Sequence, residues 1–546
     1  MRTPPGLKPE DFTKAIDQFA AAVGKQWVFT SDEDVSTYRD AYSPFAGQAD
    51  EKVASAAVAP ETVEQVQRVV KIANQYGVPL YTISTGRNLA YGGSAPVYSG
   101  SVVLDLKRMN KILEVNEEQA YALVEPGVSY FDLYRYIRER KMKLWIDCPD
   151  PGWGSVIGNA LDHGAGRTPL PYRDHFGSHC GMEVVLANGD VVRTGMGAVP
   201  TAKTWQQYKF GAGPWIDGLF SQSNFGVVTK MGFWLMPQPD AYLTGTVSVP
   251  KHQDLVPLVD ILNYLENSGV VNGMPQLGSP LLGGFFAPIG TELRDLLSRN
   301  ASTDELEAYA KRKGIGYWSC TVKFYGPAKS IQANWEYCQE KFAAIPGATF
   351  ENGETFKFPL SAAEIEDITR GQAAGSRSAT LPEFGIPSLT MFSIGARSET
   401  NPNPQAGHMW FSPIIPRSAE AIFEANRVFA EASKQLDVPL NAVGFSLPTT
   451  YWNRAFIFLF GLPVTKDPAT NKKNRAKFEQ IVKICAEHGW AEYRTPPAFQ
   501  EAVMNTYSFN NHALRRFHET LKDAVDPNGI LSAGRYGIWP KHLRKA

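Results

Sequence analysis

Between Ala54 and Gly93 the chain alternates in a way that few folds accommodate. A short apolar run, Ala54 to Ala59, meets Pro60, and a helical pattern follows from about Thr62 to Tyr76. A second apolar run, Val78 to Ile83, empties into a glycine-rich loop from Ser84 to Gly93. Strand and helix in this order predict a βαβ unit. The segment Ser84-Thr-Gly-Arg-Asn-Leu-Ala-Tyr-Gly-Gly-Ser-Ala-Pro96 carries three glycines with Ser and Asn. Such a loop exposes backbone N–H groups that can cradle phosphate, and Arg87 can add charge. The same composition also serves an ordinary turn. It is not a GxxxxGK[ST] loop, and no GxGxxG opens a helix, so ATP-type and Rossmann-type binding have poor support.

Two later stretches share this character: Asp150-Pro-Gly-Trp-Gly-Ser-Val-Ile-Gly-Asn159, and Phe220-Ser-Gln-Ser-Asn-Phe-Gly-Val-Val-Thr-Lys230. Three dispersed polar loops in one α/β region suggest an extended ligand touched at several points. A dinucleotide with a pyrophosphate bridge would fit.

At 546 residues the chain exceeds a single core, so more than one domain is expected. Residues 10–24 read as a capped amphipathic helix with Phe12, Ala15, Phe19 and Val23 on one face. Tyr121 to Glu125 and Met182 to Leu186 look like strands, and Asn188-Gly189 is a hairpin signal. The texture shifts after Pro237 to longer amphipathic helices, near 253–266, 303–313, 328–343, 418–436 and 470–488, interleaved with apolar strands. Glycine and proline turns return near Trp490. The predicted class is therefore α+β, with segments 1–240, 241–489 and 490–546. The Ser/Asn/Pro/Gly-rich loop at 394–407 is a candidate lid.

The formal net charge of −1 gives no grip on nucleic acid or an anionic membrane. Five scattered cysteines without CxxC spacing argue against a disulfide framework and structural zinc, and read as buried thiols. The N-terminus has no apolar run of the signal type, and no window reaches the ~20 apolar residues of a membrane span. A cytoplasmic enzyme is the expectation.

Longer blocks then add to this reading. STGRNLAYGGSAP, LEVNEEQAYALVEPGVSYFDLY, DCPDPGWGSVIGNA, GMEVVLANGDVVRTGMGAVP and DGLFSQSNFGVVTKMGFWLMP follow in order, then GHMWFSPI, GWAEYRTPPAF and LKDAVDPNGILSAGRYGIWP. From about residue 53 to 540 the chain resembles the family of vanillyl-alcohol oxidase, eugenol oxidase and the flavoprotein of para-cresol methylhydroxylase. The resemblance implies an FAD domain of N- and C-terminal parts, a cap domain between them holding the substrate, and a homodimer. It implies oxidation of para-substituted phenols at the benzylic carbon, by hydride transfer to flavin N5 through a quinone methide. Loop residues Ser84, Thr85, Gly86, Arg87, Asn88, Gly92, Pro149, Gly154, Ser155, Gly158, Asn159, Gly226 and Val228, with Arg535, are the expected FAD contacts.

Tyr91, Tyr493 and Arg494 fall where the family binds the phenolic oxygen. The chemistry asks for such a set, because two O–H donors and a permanent cation lower a phenol's pKa from about 10. Asp150 matches the catalytic aspartate beside flavin N5, able to assist hydride loss or act as base toward water; a turn aspartate is its plain alternative. His408 occupies the place of the histidine that carries FAD covalently in the oxidases, through attack on the 8α-methyl. The methylhydroxylase branch uses a tyrosine from elsewhere, so His408 speaks against that branch. A packed or capping histidine is the alternative here.

The family pattern fails at three places. Arg167 and Leu170 replace aromatic residues in GRTPLPYRDH, the stretch between Gly385 and His408 is longer, and Trp452-Asn453-Arg454 stands where relatives have Met-His-His. Arg167, Leu170, Trp410 and Arg454 are the expected pocket residues. Arg454 is a fixed cation that can serve the reduced flavin, a polar para substituent, or an ion pair with a cap carboxylate. O2, giving H2O2, is the expected electron acceptor, with a cytochrome as the alternative. An FAD-linked 2-hydroxy acid or sugar oxidoreductase is disfavoured by the Tyr–Tyr–Arg set, since hydroxy acids want carboxylate-binding cations. A flavin-free binding protein that has kept the fold is the remaining alternative.

Overall fold

The structure is a computed structural model describing residues 2–40, 42–88, 91–149, 151–281, 290–373, 380–389, 407–438 and 454–544. Its first helix, Pro9–Val23, buries Phe12, Ala15, Phe19 and Val23, the stripe that the spacing predicts. No side chain caps its start: Lys8 precedes the helix and only its backbone carbonyl accepts hydrogen bonds, from the Asp11 and Phe12 N–H groups at 3.1 and 3.0 Å. Pro9 starts it instead, with no N–H left to satisfy, and Glu10 and Asp11 face the positive end of the helix dipole.

The βαβ unit is present. Strand Ala56–Val58, helix Val63–Tyr76 and strand Leu80–Ile83 follow in sequence, and strand Val102–Asp105 lies parallel between the two strands. The Thr62 hydroxyl accepts the Gln65 N–H at 3.3 Å to open the helix. Gly77, at φ +67°, closes it. Strand Val28–Phe29 adds antiparallel to Ala56–Val58 and covers that edge.

The opposite edge is closed by the end of the chain. The Leu80 N–H donates to the Ile530 carbonyl at 2.7 Å, the Ser532 N–H donates to the Leu80 carbonyl at 2.7 Å, and Leu80 bridges Leu531 in parallel. Lys522, fully buried, locks this tail in place. Its ammonium pairs with Asp526 at 2.7 Å and donates to the carbonyls of Leu531 and Asn224. An otherwise open sheet edge is thereby satisfied.

A five-stranded antiparallel sheet follows, in the order Ile112–Asn116, Tyr121–Val124, Val227–Trp234, His179–Val185, Val191–Arg193. The predicted hairpin joins the last two strands, with Gly189 at φ +86°. Beyond Pro237 the chain builds a second antiparallel sheet in the order Gln276–Gly278, Trp318–Gly326, Ala241–Val249, Thr349–Lys357. The predicted helices appear as Leu255–Asn267, Thr303–Lys313, Ala328–Phe342, Ala419–Leu436 and Pro468–Glu487. The indole of Trp335 packs on the backbone at Gly245, where a Cβ would come within 2.5 Å of it.

The cores divide accordingly. One gathers residues from Ala241 to Val503, and two others gather residues from Phe12 to Leu235 together with Ile530, Leu531 and Ile538. All five cysteines are buried and unpaired with one another. No helix among the described residues is long and apolar enough to cross a membrane. Residues 394–406 of the expected lid lie outside the described residues, and Gly407 opens strand Gly407–Phe411.

Candidate functional site

The loop that follows Leu80–Ile83 leaves from the carboxyl end of a parallel strand, the end at which open α/β sheets bind ligands. A cavity of about 490 Å³ opens there, within the range of small-molecule and cofactor sites. Glycine is required in the loops because they touch. A Cβ on Gly158 would sit 2.3 Å from the Ser84 hydroxyl, and one on Gly86 would sit 2.2 Å from that of Ser94. Gly86 also has φ +64°, which disfavours a side chain whatever the space. Asp40, which the sequence reading missed, fixes the loop: one carboxylate oxygen accepts the N–H groups of Gly93 and Ala95 at 2.7 and 2.9 Å.

All the expected loop contacts line this one cavity. Ser84, Thr85, Gly86, Arg87, Asn88 and Gly92 come from the first loop, and Pro149, Gly154, Ser155, Gly158 and Asn159 from the second. Gly226 and Val228 come from the third, and Arg535 from the tail. The Ser155 hydroxyl caps the short helix Val156–Leu161 by accepting the Gly158 N–H at 3.0 Å, and donates to the Pro126 carbonyl at 2.6 Å.

His408 and Trp410 reach the same cavity from strand Gly407–Phe411. His408 is 8% exposed, and burial pulls its pKa down to about 4, so the imidazole is neutral at pH 7. Neither ring nitrogen has a hydrogen-bond partner among the described residues. Two orphaned nitrogens on a buried ring are costly, unless a ligand meets one of them.

Tyr91, Tyr493 and Arg494 also converge on the cavity. The tyrosine rings lie edge to face with centroids 6.5 Å apart, and the Arg494 guanidinium sits 4.5 Å from the centre of the Tyr91 ring. Burial pushes both tyrosine pKa values up, for Tyr91 with the further influence of Tyr493 and for Tyr493 against that of Arg494. Both therefore stay protonated. Burial works against the charge of Arg494, but Asp162 and the tyrosines outweigh it and hold its pKa above the ordinary value. Its Nε–H has no partner among the described residues.

Asp162 was not singled out in the sequence. Its carboxylate takes Arg535 at 2.7 Å, the Tyr536 hydroxyl at 2.9 Å and Arg494 at 3.6 Å. It ties both cavity arginines of the tail to the second loop. The available signal was its position, three residues beyond Asn159 and just past the end of that block.

Of the expected pocket residues, Arg167 and Trp410 line the cavity, and Leu170 and Arg454 are not among the described residues that line it. Leu170 sits half-buried in a loop away from the wall. Arg454 is exposed at the start of strand Ala455–Ile457, whose pairing with Ile414–Pro416 turns Phe456 inward. Asp150 and residues 452–453 lie outside the described residues, although both neighbours of Asp150, Pro149 and Pro151, line the cavity.

A cavity lined by three glycine-rich loops suits a long dinucleotide, and the unpartnered ring nitrogens of His408 and the Arg494 Nε–H suit a ligand bound across it. Residues 54–195 match the family model of an FAD binding domain, which sets the class as a protein that binds FAD. Over 542 residues the chain is 34% identical to the 4-cresol dehydrogenase (hydroxylating) flavoprotein subunit of Pseudomonas putida, covering 98% of this chain and 97% of that protein. The chain belongs to this family, that of vanillyl-alcohol oxidase and para-cresol methylhydroxylase flavoproteins. Among solved structures, 4-ethylphenol oxidase from Gulosibacter chungangensis superposes with a TM-score of 0.82 at 34% identity over the whole of both chains. Substrate-bound p-cresol methylhydroxylase superposes with a TM-score of 0.80 at 31% identity, covering 98% of this chain and 99% of that one.

Proposed function

We propose that this enzyme oxidises para-substituted phenols at the carbon attached to the ring, with O2 as acceptor and H2O2 as product. The carrying observation is the Tyr91–Tyr493–Arg494 cluster, with Arg494 buried and both tyrosines half-buried, in the wall of the cavity that the flavin loops form. Both tyrosines hold their protons, so they act as donors, and Arg494 brings a permanent charge with one N–H still open. A phenol entering this cluster is the group that gives up its proton, because its oxyanion gains two O–H donors and a cation. Negative charge on that oxygen raises electron density at the para position and weakens the benzylic C–H bond toward hydride loss. Bound FAD supplies the hydride acceptor at N5, which leaves the substrate as a quinone methide.

Within this reading residues 1–240 and 490–546 form the FAD-binding part and 241–489 the cap. Asp150 favours hydride loss electrostatically and serves as base for water attacking the quinone methide. His408 carries the cofactor through a covalent bond, which its neutral ring and open nitrogens support. A histidine at this place is the oxidase pattern of the family, and this supports O2 over a cytochrome. One relative with a solved structure is an oxidase and another relative a dehydrogenase, so stopped-flow reoxidation of the substrate-reduced enzyme is the direct measurement. Rapid reoxidation by air is expected, and air-stable reduced enzyme would point to the cytochrome route. Activity toward phenols is tested with 4-ethylphenol and its methyl ether. Turnover of the phenol alone is expected, and equal turnover of both would overturn the mechanism.

A further inference from the structure

Ser412 follows the strand that carries His408 and Trp410, and it is fully buried. Its backbone and side chain join three segments distant in sequence. The Tyr493 N–H donates to its carbonyl at 3.3 Å, and its own N–H donates to the Glu492 carboxyl at 3.3 Å. The neighbouring Pro413 bridges Glu492, and the Ile414 N–H donates to the Ala491 carbonyl at 2.8 Å. This pairing holds the Tyr493–Arg494 segment against the histidine strand. The Ser412 hydroxyl points the other way, 2.9 Å from the hydroxyl of Tyr91 in the first loop.

We infer that Ser412 is a positioning residue that aims the Tyr91 hydroxyl at the substrate oxygen, an inference resting on the phenolate reading above. Either hydroxyl can donate across the 2.9 Å contact. A Tyr91 that gives its proton to a phenolate must accept at its own oxygen, so Ser412 becomes the donor. The order is then Ser412 O–H to Tyr91 O–H to substrate oxygen, and hydrogen bonds in series strengthen one another. Glu492 lies behind this chain, and its other carboxyl oxygen accepts the Thr495 hydroxyl at 3.1 Å. Burial raises its pKa well above the ordinary carboxylate value. Ser412 touches neither cofactor nor substrate in this scheme and acts through Tyr91.

The test uses the FAD-loaded enzyme with 4-chlorophenol and 4-chloroanisole, neither of which has a benzylic hydrogen to lose. Wild type is expected to prefer the phenol. Ser412→Ala is expected to weaken 4-chlorophenol binding about fivefold, the size of one neutral hydrogen bond, and to leave 4-chloroanisole unchanged by calorimetry. Ser412→Cys, which keeps the volume with a weak donor, is expected to show the same selective loss should the alanine variant fold poorly. In a Tyr91→Phe background the serine change is expected to add nothing. Equal losses for both ligands, no loss, or losses that add in the double variant would each overturn the assignment while the phenolate site stands. A wild type without preference for the phenol would remove the phenolate reading and this inference with it.

Discussion

On the loop side of the cavity, Gly86 and Gly158 leave no room for a methyl group beside the Ser94 and Ser84 hydroxyls, and the wall comes from three glycine-bearing loops. On the tyrosine side stand larger residues: Tyr91 from the first loop, Tyr493 and Arg494 from residues some four hundred positions later, Trp410 from strand Gly407–Phe411. The first wall is specified by contiguous blocks, because close backbone approach is a local property of glycine-rich sequence. The second is specified by convergence, and Asp162, Ser412 and Glu492 hold it from behind. Substitutions on the two sides should therefore fail differently, the first by losing cofactor and the second by losing substrate.

The largest expected effect lies on the tyrosine side. Arg494→Ala removes the cation and leaves Asp162 with Arg535 as its remaining cavity arginine. Binding of 4-chlorophenol should fall roughly 10- to 150-fold, the range for a charged hydrogen bond, while bound FAD is retained. Equal loss of FAD and phenol binding in that variant would erase the distinction between the walls.

His408 stands at the junction and yields the next effect. Acid-precipitated wild type should stay yellow, and His408→Ala should release free FAD and oxidise substrate more slowly; wild type that gives up all its flavin to acid would refute the bond. The FAD-free protein carries a pH signature as well. The unfolded imidazole takes up a proton near pH 6.5 and the folded one only near 4, so stability falls as the pH drops through that window. About 3 kcal/mol is at stake, and denaturant titrations at pH 7 and pH 4 should show this loss in wild type and not in His408→Ala.

Gly86→Ala should cost about 1–2 kcal/mol from its left-handed backbone, and the contact with Ser94 adds to this. The expected readout is a lower visible-to-ultraviolet absorbance ratio with phenol affinity normal in the fraction that holds FAD. The smallest effect is expected at Arg454, which is exposed and outside the wall. Arg454→His should leave the flavin potential and the relative kcat/KM values of apolar and polar 4-substituted phenols within about twofold, roughly the ±0.5 kcal/mol of a surface change. A selective shift among substrates would return this residue to the pocket.

The same contrast explains what could be read in the chain before its structure. The βαβ unit, the hairpin at Asn188-Gly189 and the cap helices follow from periodicity and turn chemistry, which are local. Every loop residue expected at the cofactor lines the cavity for the same reason. Leu170 and Arg454 are not among the lining residues: block position says which segment is near a site, and strand register or loop course then decides where a side chain points. Asp162 and Ser412 escaped notice because a buried carboxylate or hydroxyl has no sequence signature until its partners arrive from elsewhere. The capped start expected for the first helix is replaced by a proline start, a choice that composition leaves open.

The pairing of residues 530–532 with strand Leu80–Ile83 also bears on how the enzyme is made. The strand that feeds the first flavin loop has its final neighbour some 450 residues downstream. During synthesis its edge stays bare until residues 530–532 have left the ribosome, and such edges invite pairing with other chains. A chain stopped short of Ile530 would expose that edge permanently, so premature termination should yield aggregates more readily than a soluble, flavin-poor enzyme.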